Sequence, residues 1–224
     1  MPTELLECLE VDSDPSKDSV GTVIWMHGLG ADATDFEPLV PMLELAAPLR
    51  FVFPNAPERA VTVNGGMVMR AWYDIDSNSP LAGDGDIAES AAQIQDLIQR
   101  ELDQGCPADR IVLAGFSQGG VIALHQGLRH MDELAGVMAL STYVHNPDSL
   151  VDEISFANAS VPIFMAHGMS DAMIPIARAV SSRQALEQLN YQVQWHQYAM
   201  GHQVCPQEIA DIAAWLNQVY AGKS

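Results

Sequence analysis

Short apolar runs, several of them β-branched, alternate along this chain with longer segments whose apolar residues recur at helical spacing. Short runs bounded by turn residues read as strands, and the longer periodic segments as helices. Strands are predicted at residues 5–9, 22–26, 51–53, 111–114, 136–140, 163–166 and 192–196. Helices are predicted at 35–45, 85–102, 119–128, 175–189 and 206–220. In the second of these, Ile87, Ala91, Ile94, Leu97, Ile98 and Leu102 share one face, with charges between them, which is a core-facing stripe. From the third strand onward the order is largely strand, helix, strand, helix. Neighbouring parallel strands need such crossovers, so the expected fold class is α/β, a mostly parallel central sheet with helices on both faces. In such sheets chemistry gathers where loops leave the carboxyl ends of the strands. The loops after Met26, Phe53, Ala114, Leu140, Ala166 and His196 are therefore the ones to search.

At 224 residues the chain suits one domain with a substantial core, spanning 1–224. No repeat, low-complexity tract or long Ser/Pro-rich linker divides it. Its 29 acidic and 10 basic residues give a formal charge of −19. Nucleic acid and anionic membranes both demand clustered Lys and Arg, so neither is an expected main partner. The longest apolar stretches fall well short of the about 20 residues of a membrane span, so stable membrane insertion is not expected. The start, MPTELLECLEVDSDPSKD, has no basic segment leading into an apolar run, and no secretory signal is read there. Cys8, Cys106 and Cys205 are too scattered for a disulfide framework or a paired-cysteine metal site. A reducing, cytoplasmic location is the consistent expectation.

The segment AVTVNGGMVMRAWYD breaks the pattern. Two short alternating apolar runs flank Asn64-Gly65-Gly66, residues that tolerate the positive φ of a hairpin turn. The hairpin belongs to an excursion over about 55–83, longer than ordinary connections. It leaves the end of a strand, which places it over or beside the loops to be searched. A hairpin that merely packs on the sheet edge is the plainer alternative.

Gly-Phe-Ser-Gln-Gly at 115–119 is a weak match alone, since roughly one chain in fifteen of this length carries Gly-x-Ser-x-Gly by chance. Its context is specific. A buried strand ends, Ser117 takes the corner, and a helix opens at Gly119. Glycines two positions to either side let the corner be sharp, so that the serine hydroxyl projects above the sheet as a nucleophile. A serine needs a base and the base an orienting acid, in the chain order Ser, Asp or Glu, His for this architecture. Asp171, in HGMSDAMIPI, falls just past a strand end, and His202, in GHQVCPQEI, in the loop before the last helix. Asp148 and Asp152 are fallback acids. His196 also follows Asp171, but from inside a strand. His27 and His167 stand beside glycines at strand ends and read as hydrogen-bonding groups of the site floor. No HExxH or paired-ligand spacing accompanies them, so no metal is expected. For the oxyanion, the donors expected are the backbone N–H of Gln118, at the helix start, and that of Leu29, in His27-Gly28-Leu29-Gly30.

Together HGLG, GFSQGG, HGMSDAMIPI, GHQVCPQEIADIAAWL and NGGMVMRAWYDI, in this order along nearly the whole chain apart from the last, which lies between the first two, make it one that resembles the small carboxylesterase/acyl-protein thioesterase family of α/β-hydrolases. The resemblance implies the α/β-hydrolase fold without a large cap domain, with Ser117 as nucleophile, Asp171 as acid, His202 as base, and the Leu29 and Gln118 amides as oxyanion hole. It also implies acyl ester substrates, with no cofactor. Several members dimerise through the active-site side, which makes a weak homodimer an expectation. The primary functional expectation is a serine carboxylesterase. A thioesterase or lysophospholipase acting on long acyl chains is the alternative, and a non-catalytic ligand binder on the same fold is the rival of another class. Met67, Met69, Leu81 and Ile174 are placed to line an acyl pocket, with ordinary core packing as the competing role for each.

Overall fold

Every residue of Thr22–Met26, Gly136–Leu140 and Ile163–Gly168 is buried, as strands covered by helices on both faces must be. The computed structural model describes residues 5–79 and 83–223. Its strands are β1 (Cys8–Asp12), β2 (Thr22–Met26), β3 (Arg50–Pro54), β4 (Glu58–Val61), β5 (Met67–Arg70), β6 (Ile111–Phe116), β7 (Gly136–Leu140), β8 (Ile163–Gly168) and β9 (Val193–Tyr198). The helices are α1 (Asp84–Asp103), α2 (Gln118–Arg129), α3 (Pro147–Glu153), α4 (Ile176–Gln188) and α5 (Pro206–Val219).

Seven strands form one sheet in the order β1-β3-β2-β6-β7-β8-β9, parallel except for β1, which runs antiparallel to β3 at one edge. Along β2 the side chains alternate between two cores. Ile24 and Met26 join Ile94, Leu97, Val121 and Leu124 of α1 and α2, whereas Val23 and Trp25 join Ile212, Trp215 and Leu216 of α5. Each such side chain contributes roughly 1.5–3 kcal/mol on burial. Intrinsic strand preference spans only about 1 kcal/mol, so burial decides where these strands lie.

Three local expectations change. The first strand is Cys8–Asp12 rather than 5–9. Its register, from Cys8 opposite Pro54 to Asp12 opposite Arg50, is set by β3 and reinforced by the Glu10–Arg50 ion pair. The helix expected at 35–45 is a short 3-10 turn, Glu37–Met42. Pro41 inside it has no N–H to donate, and its ring crowds the preceding turn. Helix α3 was not anticipated, because seven residues are too few to show a period.

The excursion after β3 holds the expected hairpin. Strands β4 and β5 pair antiparallel as a separate two-stranded sheet. Gly65 and Gly66 turn the chain at φ 68° and 78°, a region open to glycine and costly for most other residues. Asp74 accepts from Thr62 N and Oγ1 at 2.7 and 2.6 Å, and Arg59 pairs with Asp86 of α1 at 2.6 Å, which fastens the hairpin to the main body. Among the described residues no large cap domain covers the strand ends, and no helix is long and apolar enough to cross a membrane.

Candidate active site

Strand β6 ends at Phe116 and α2 begins at Gln118, which leaves Ser117 alone on the corner. Its φ of 54° and ψ of −117° form a sparsely populated backbone state costing about 1–3 kcal/mol. Hydrogen bonds hold it there. Ser117 N–H donates to Leu140 O at 2.9 Å, and Thr142 Oγ1 donates to Ser117 O at 2.7 Å. The two flanking glycines are demanded by packing. A Cβ on Gly115 would stand 2.1 Å from Gly119 O, and one on Gly119 would stand 2.3 Å from Met26 O. The start of α2 is therefore pressed against its own strand and against the end of β2.

His202, in the loop after β9, points Nε2 at Ser117 Oγ across 3.0 Å. Its Nδ1 lies 2.7 Å from Asp171 Oδ2, in the loop after β8. The carboxylate draws the imidazole proton to Nδ1, and the Nε2 lone pair then faces the serine hydroxyl. Phe116 packs on the His202 ring at 4.8 Å between centroids. On the far side of Asp171, Oδ1 accepts the N–H groups of Met173 and Ile174 at 2.8 and 2.9 Å. Burial by itself would raise the Asp171 pKa; the His202 hydrogen bond and these two amides outweigh it and hold the carboxyl below its ordinary value.

The buried His167 stands below this pair, its Nε2 2.8 Å from Ile174 O and 3.3 Å from Asp171 Oδ2. Its pKa is lowered, chiefly by burial, so a neutral ring with the proton on Nε2 braces the Asp171 loop. His27 is similarly lowered by burial. It accepts Ala56 N–H at Nε2 (3.0 Å), which puts its own proton on Nδ1, donated to Gly28 O at 2.7 Å. Both histidines thus sit in the floor of the site.

Gly28 lies against the serine, since a Cβ there would meet Ser117 Cβ at 3.5 Å. That contact brings the next residue, Leu29, beside the corner. Gly30 follows at φ 74°. Among the described residues neither the Leu29 nor the Gln118 N–H has an acceptor. Of these two, the Gln118 N–H lies at a helix amino end, where the dipole favours negative charge.

Of the residues expected along an acyl pocket, Met69 and Ile174 lie beside the site loops. A Cβ on Gly30 would be 3.6 Å from Met69 Sδ, and half-buried Ile174 packs on the α1/α2 core. Met67 stands out at the hairpin turn, 63% exposed. Leu81 lies outside the described residues. His196 is away from the hydroxyl, stacked on Phe164 at 5.0 Å and 3.5 Å from Asp211. Asp148 and Asp152 belong to α3, whereas Asp171 holds the histidine. Sequence reasoning missed Thr142, Trp72 and the side chain of Gln118; Thr142 and Trp72 lie at no characteristic spacing from Ser117, and the motif that holds Gln118 says nothing of what its side chain meets. A surface cavity of about 550 Å³ lined by Tyr191, Val193 and Trp215 contains none of these groups and plays no part in the site.

A mostly parallel sheet with a strained serine on the strand-to-helix corner, and histidine and aspartate delivered by later loops, is the α/β-hydrolase arrangement. Residues 6–220 match the Phospholipase/Carboxylesterase family, and the chain belongs to it. Acyl-protein thioesterase 1 of Yarrowia lipolytica is 37% identical over 206 residues, covering 88% of this chain and 91% of that protein. The protein of the same name from Neurospora crassa is 38% identical over 214 residues, covering 88% and 86%. The crystal structure of Zea mays acyl-protein thioesterase 2 superposes with a TM-score of 0.83 at 25% identity, over 95% of this chain and 98% of that one. The chain is a hydrolase, as the resemblance in its motifs implied.

Proposed function

We propose that the chain is a serine hydrolase of long-chain acyl thioesters, working through an acyl-enzyme on Ser117. The hydrogen-bonded line from Asp171 through His202 to Ser117 Oγ carries the reading. His202 Nε2 takes the hydroxyl proton as Oγ attacks the acyl carbonyl, and Asp171 stabilises the imidazolium that forms. The carbonyl oxygen becomes an oxyanion between the N–H groups of Leu29 and Gln118, each such donor typically worth about 3–4 kcal/mol in the transition state. His202 returns the proton to the leaving thiolate. Water, deprotonated by the same nitrogen, then releases the acid and restores Ser117.

The thioester preference draws on the name acyl-protein thioesterase 1 carried by the curated relatives, and it replaces the generic carboxylesterase as the main reading. Met67, Met69 and Ile174 would line the acyl chain's path, methionine adapting to varied apolar shapes. The whole of 1–224 would act as one domain in the cytoplasm, where its free cysteines would remain reduced, as a monomer or weak homodimer. The test compares kcat/KM on a palmitoylated cysteine peptide with p-nitrophenyl esters of two to sixteen carbons. The thioester and the long esters should lead; a clear preference for two- to four-carbon esters would return the chain to the carboxylesterases.

A further inference from the structure

The two amides proposed above as oxyanion donors come from separate elements, Leu29 from the loop after β2 and Gln118 from the start of α2. An oxyanion hole works through donors already in place before charge develops, so the spacing between these elements has to be fixed. Direct packing of Gly119 on Met26 and His27 supplies one constraint. The segment 70–73, leaving the hairpin, supplies the other.

This segment is bonded to both elements. Toward the Leu29 loop, Gly30 N–H donates to Arg70 O at 2.9 Å, and Trp72 Nε1–H donates to His27 O at 2.8 Å. Toward α2, Trp72 N–H donates to Gln118 Oε1 at 3.0 Å, and Gln118 Nε2 donates to Tyr73 O at 2.7 Å. Trp72 O accepts from Ser90 Oγ of α1 at 2.5 Å, which holds the segment from behind. Trp72 and Gln118 are 0% and 2% exposed, so water does not compete for these bonds. The Gln118 carboxamide meets two consecutive main-chain groups at once, and both ends of it are fixed.

We infer that Trp72 and the Gln118 side chain are positioning residues, forming a clamp that sets the distance between the two oxyanion donors. Gln118 then acts twice, with its backbone N–H toward the substrate oxygen and its carboxamide toward the clamp. The inference rests on the Ser117 acyl-enzyme proposed above and adds what keeps its oxyanion hole in register. A buried tryptophan and a buried glutamine also serve packing, and every buried polar group needs a partner. A packing role alone lowers stability and leaves turnover per folded molecule intact. A positioning role lowers kcat and the affinity for an oxyanion mimic together.

Two variants separate these outcomes. Trp72→Phe retains an aromatic ring and deletes the indole N–H, and Gln118→Met retains the length and deletes both carboxamide bonds. Each is measured for kcat and KM on p-nitrophenyl butyrate and for inhibition by an alkyl trifluoromethyl ketone, whose serine adduct carries an oxyanion. The clamp requires kcat to fall by about 10- to 100-fold with KM within about threefold, since misplacement near 1 Å costs on that order. Ketone inhibition should weaken by the same factor. The double variant should lose less than the product of the single losses, because both act on one spacing. Wild-type kcat and ketone affinity in the variants, with only a lowered Tm, overturn the clamp. If Gln118→Met does not fold, Trp72→Phe decides alone. Ser117→Ala is assayed in parallel: retained turnover there defeats the acyl-enzyme itself, whereas an inactive Ser117→Ala beside a fully active Trp72→Phe defeats the clamp only.

Discussion

His202 Nε2 sits 3.0 Å from Ser117 Oγ, although 85 positions separate the two residues in the chain. The contact exists because β6 and β9 run parallel in one sheet, so that their carboxyl ends open onto the same rim. An alcohol oxygen facing an imidazole lone pair is the minimum needed for attack on an acyl carbon. Ser117→Ala should therefore lower kcat by on the order of 10⁶, with KM nearly unchanged, as loss of a triad serine does elsewhere. Steady-state rates on a p-nitrophenyl ester check this, and a loss under tenfold would remove Ser117 from the chemistry.

Asp171→Asn has a direction set by the hydrogen bonds of both carboxylate oxygens. Oδ1 receives the Met173 and Ile174 N–H groups, so an amide side chain would keep its oxygen there. Its NH₂ would then face His202 Nδ1, now at the Oδ2 position. The ring would be pushed into the opposite tautomer, with a proton on Nε2 and no lone pair for Ser117. A fall in kcat of about 10⁴ is expected, the size seen when a triad aspartate is made neutral. Circular dichroism should show an unchanged fold. Turnover within tenfold of wild type would mean that Asp171 does not set the tautomer.

The glycine at 119 makes a third prediction. A Cβ there meets the carbonyls of Met26 and His27 at 2.3 and 2.6 Å, and both are backbone atoms that no side-chain rotation can clear. Gly119→Ala must part α2 from the end of β2, at about 1–3 kcal/mol for forced overpacking. The same movement separates Gln118 from Leu29. A lower Tm together with at least a tenfold loss of kcat is expected, read by thermal unfolding and steady-state kinetics on the same preparation. Full activity would mean that the first turn of α2 tolerates displacement.

The proximity of Ser117, Asp171 and His202 could be read from the sequence because each lies just past an apolar run, and parallel strands bring such ends together. The fold class was legible for the same reason, since burial of β2 and β7 on both faces leaves unbroken apolar runs. Much of what failed depends on partners remote in sequence. The register of β1 is chosen by β3 some 40 residues later, through pairs such as Glu10 with Arg50. The 35–45 segment had a helical pattern, but Pro41 removed the donor on which its continuation depends. Trp72 and Gln118 are 46 positions apart and meet main chain to side chain, which no spacing rule encodes.

Glu208 in the first turn of α5 supplies a prediction about pH. It is fully buried, and neither carboxyl oxygen has a hydrogen-bond partner among the described residues. Burial pushes its pKa up to about 8; the backbone of Cys205 pulls the other way, and Asp211 adds to the rise. An acid raised in the folded state keeps its proton between its ordinary value near 4.5 and about 8, where the unfolded chain has already released it. The folded state then binds more protons, so stability falls as pH rises through that window. Glu208→Gln has nearly the same shape and cannot ionise. The formal charge of −19 imposes its own pH dependence on both proteins, so the decisive quantity is the difference between their Tm curves. From pH 5 to 9 the wild type should lose ground to the variant, most steeply midway through that window, at about pH 6, and levelling off above about pH 8, where the variant should be the more stable. Parallel curves would mean that Glu208 is ionised, and satisfied, within the fold.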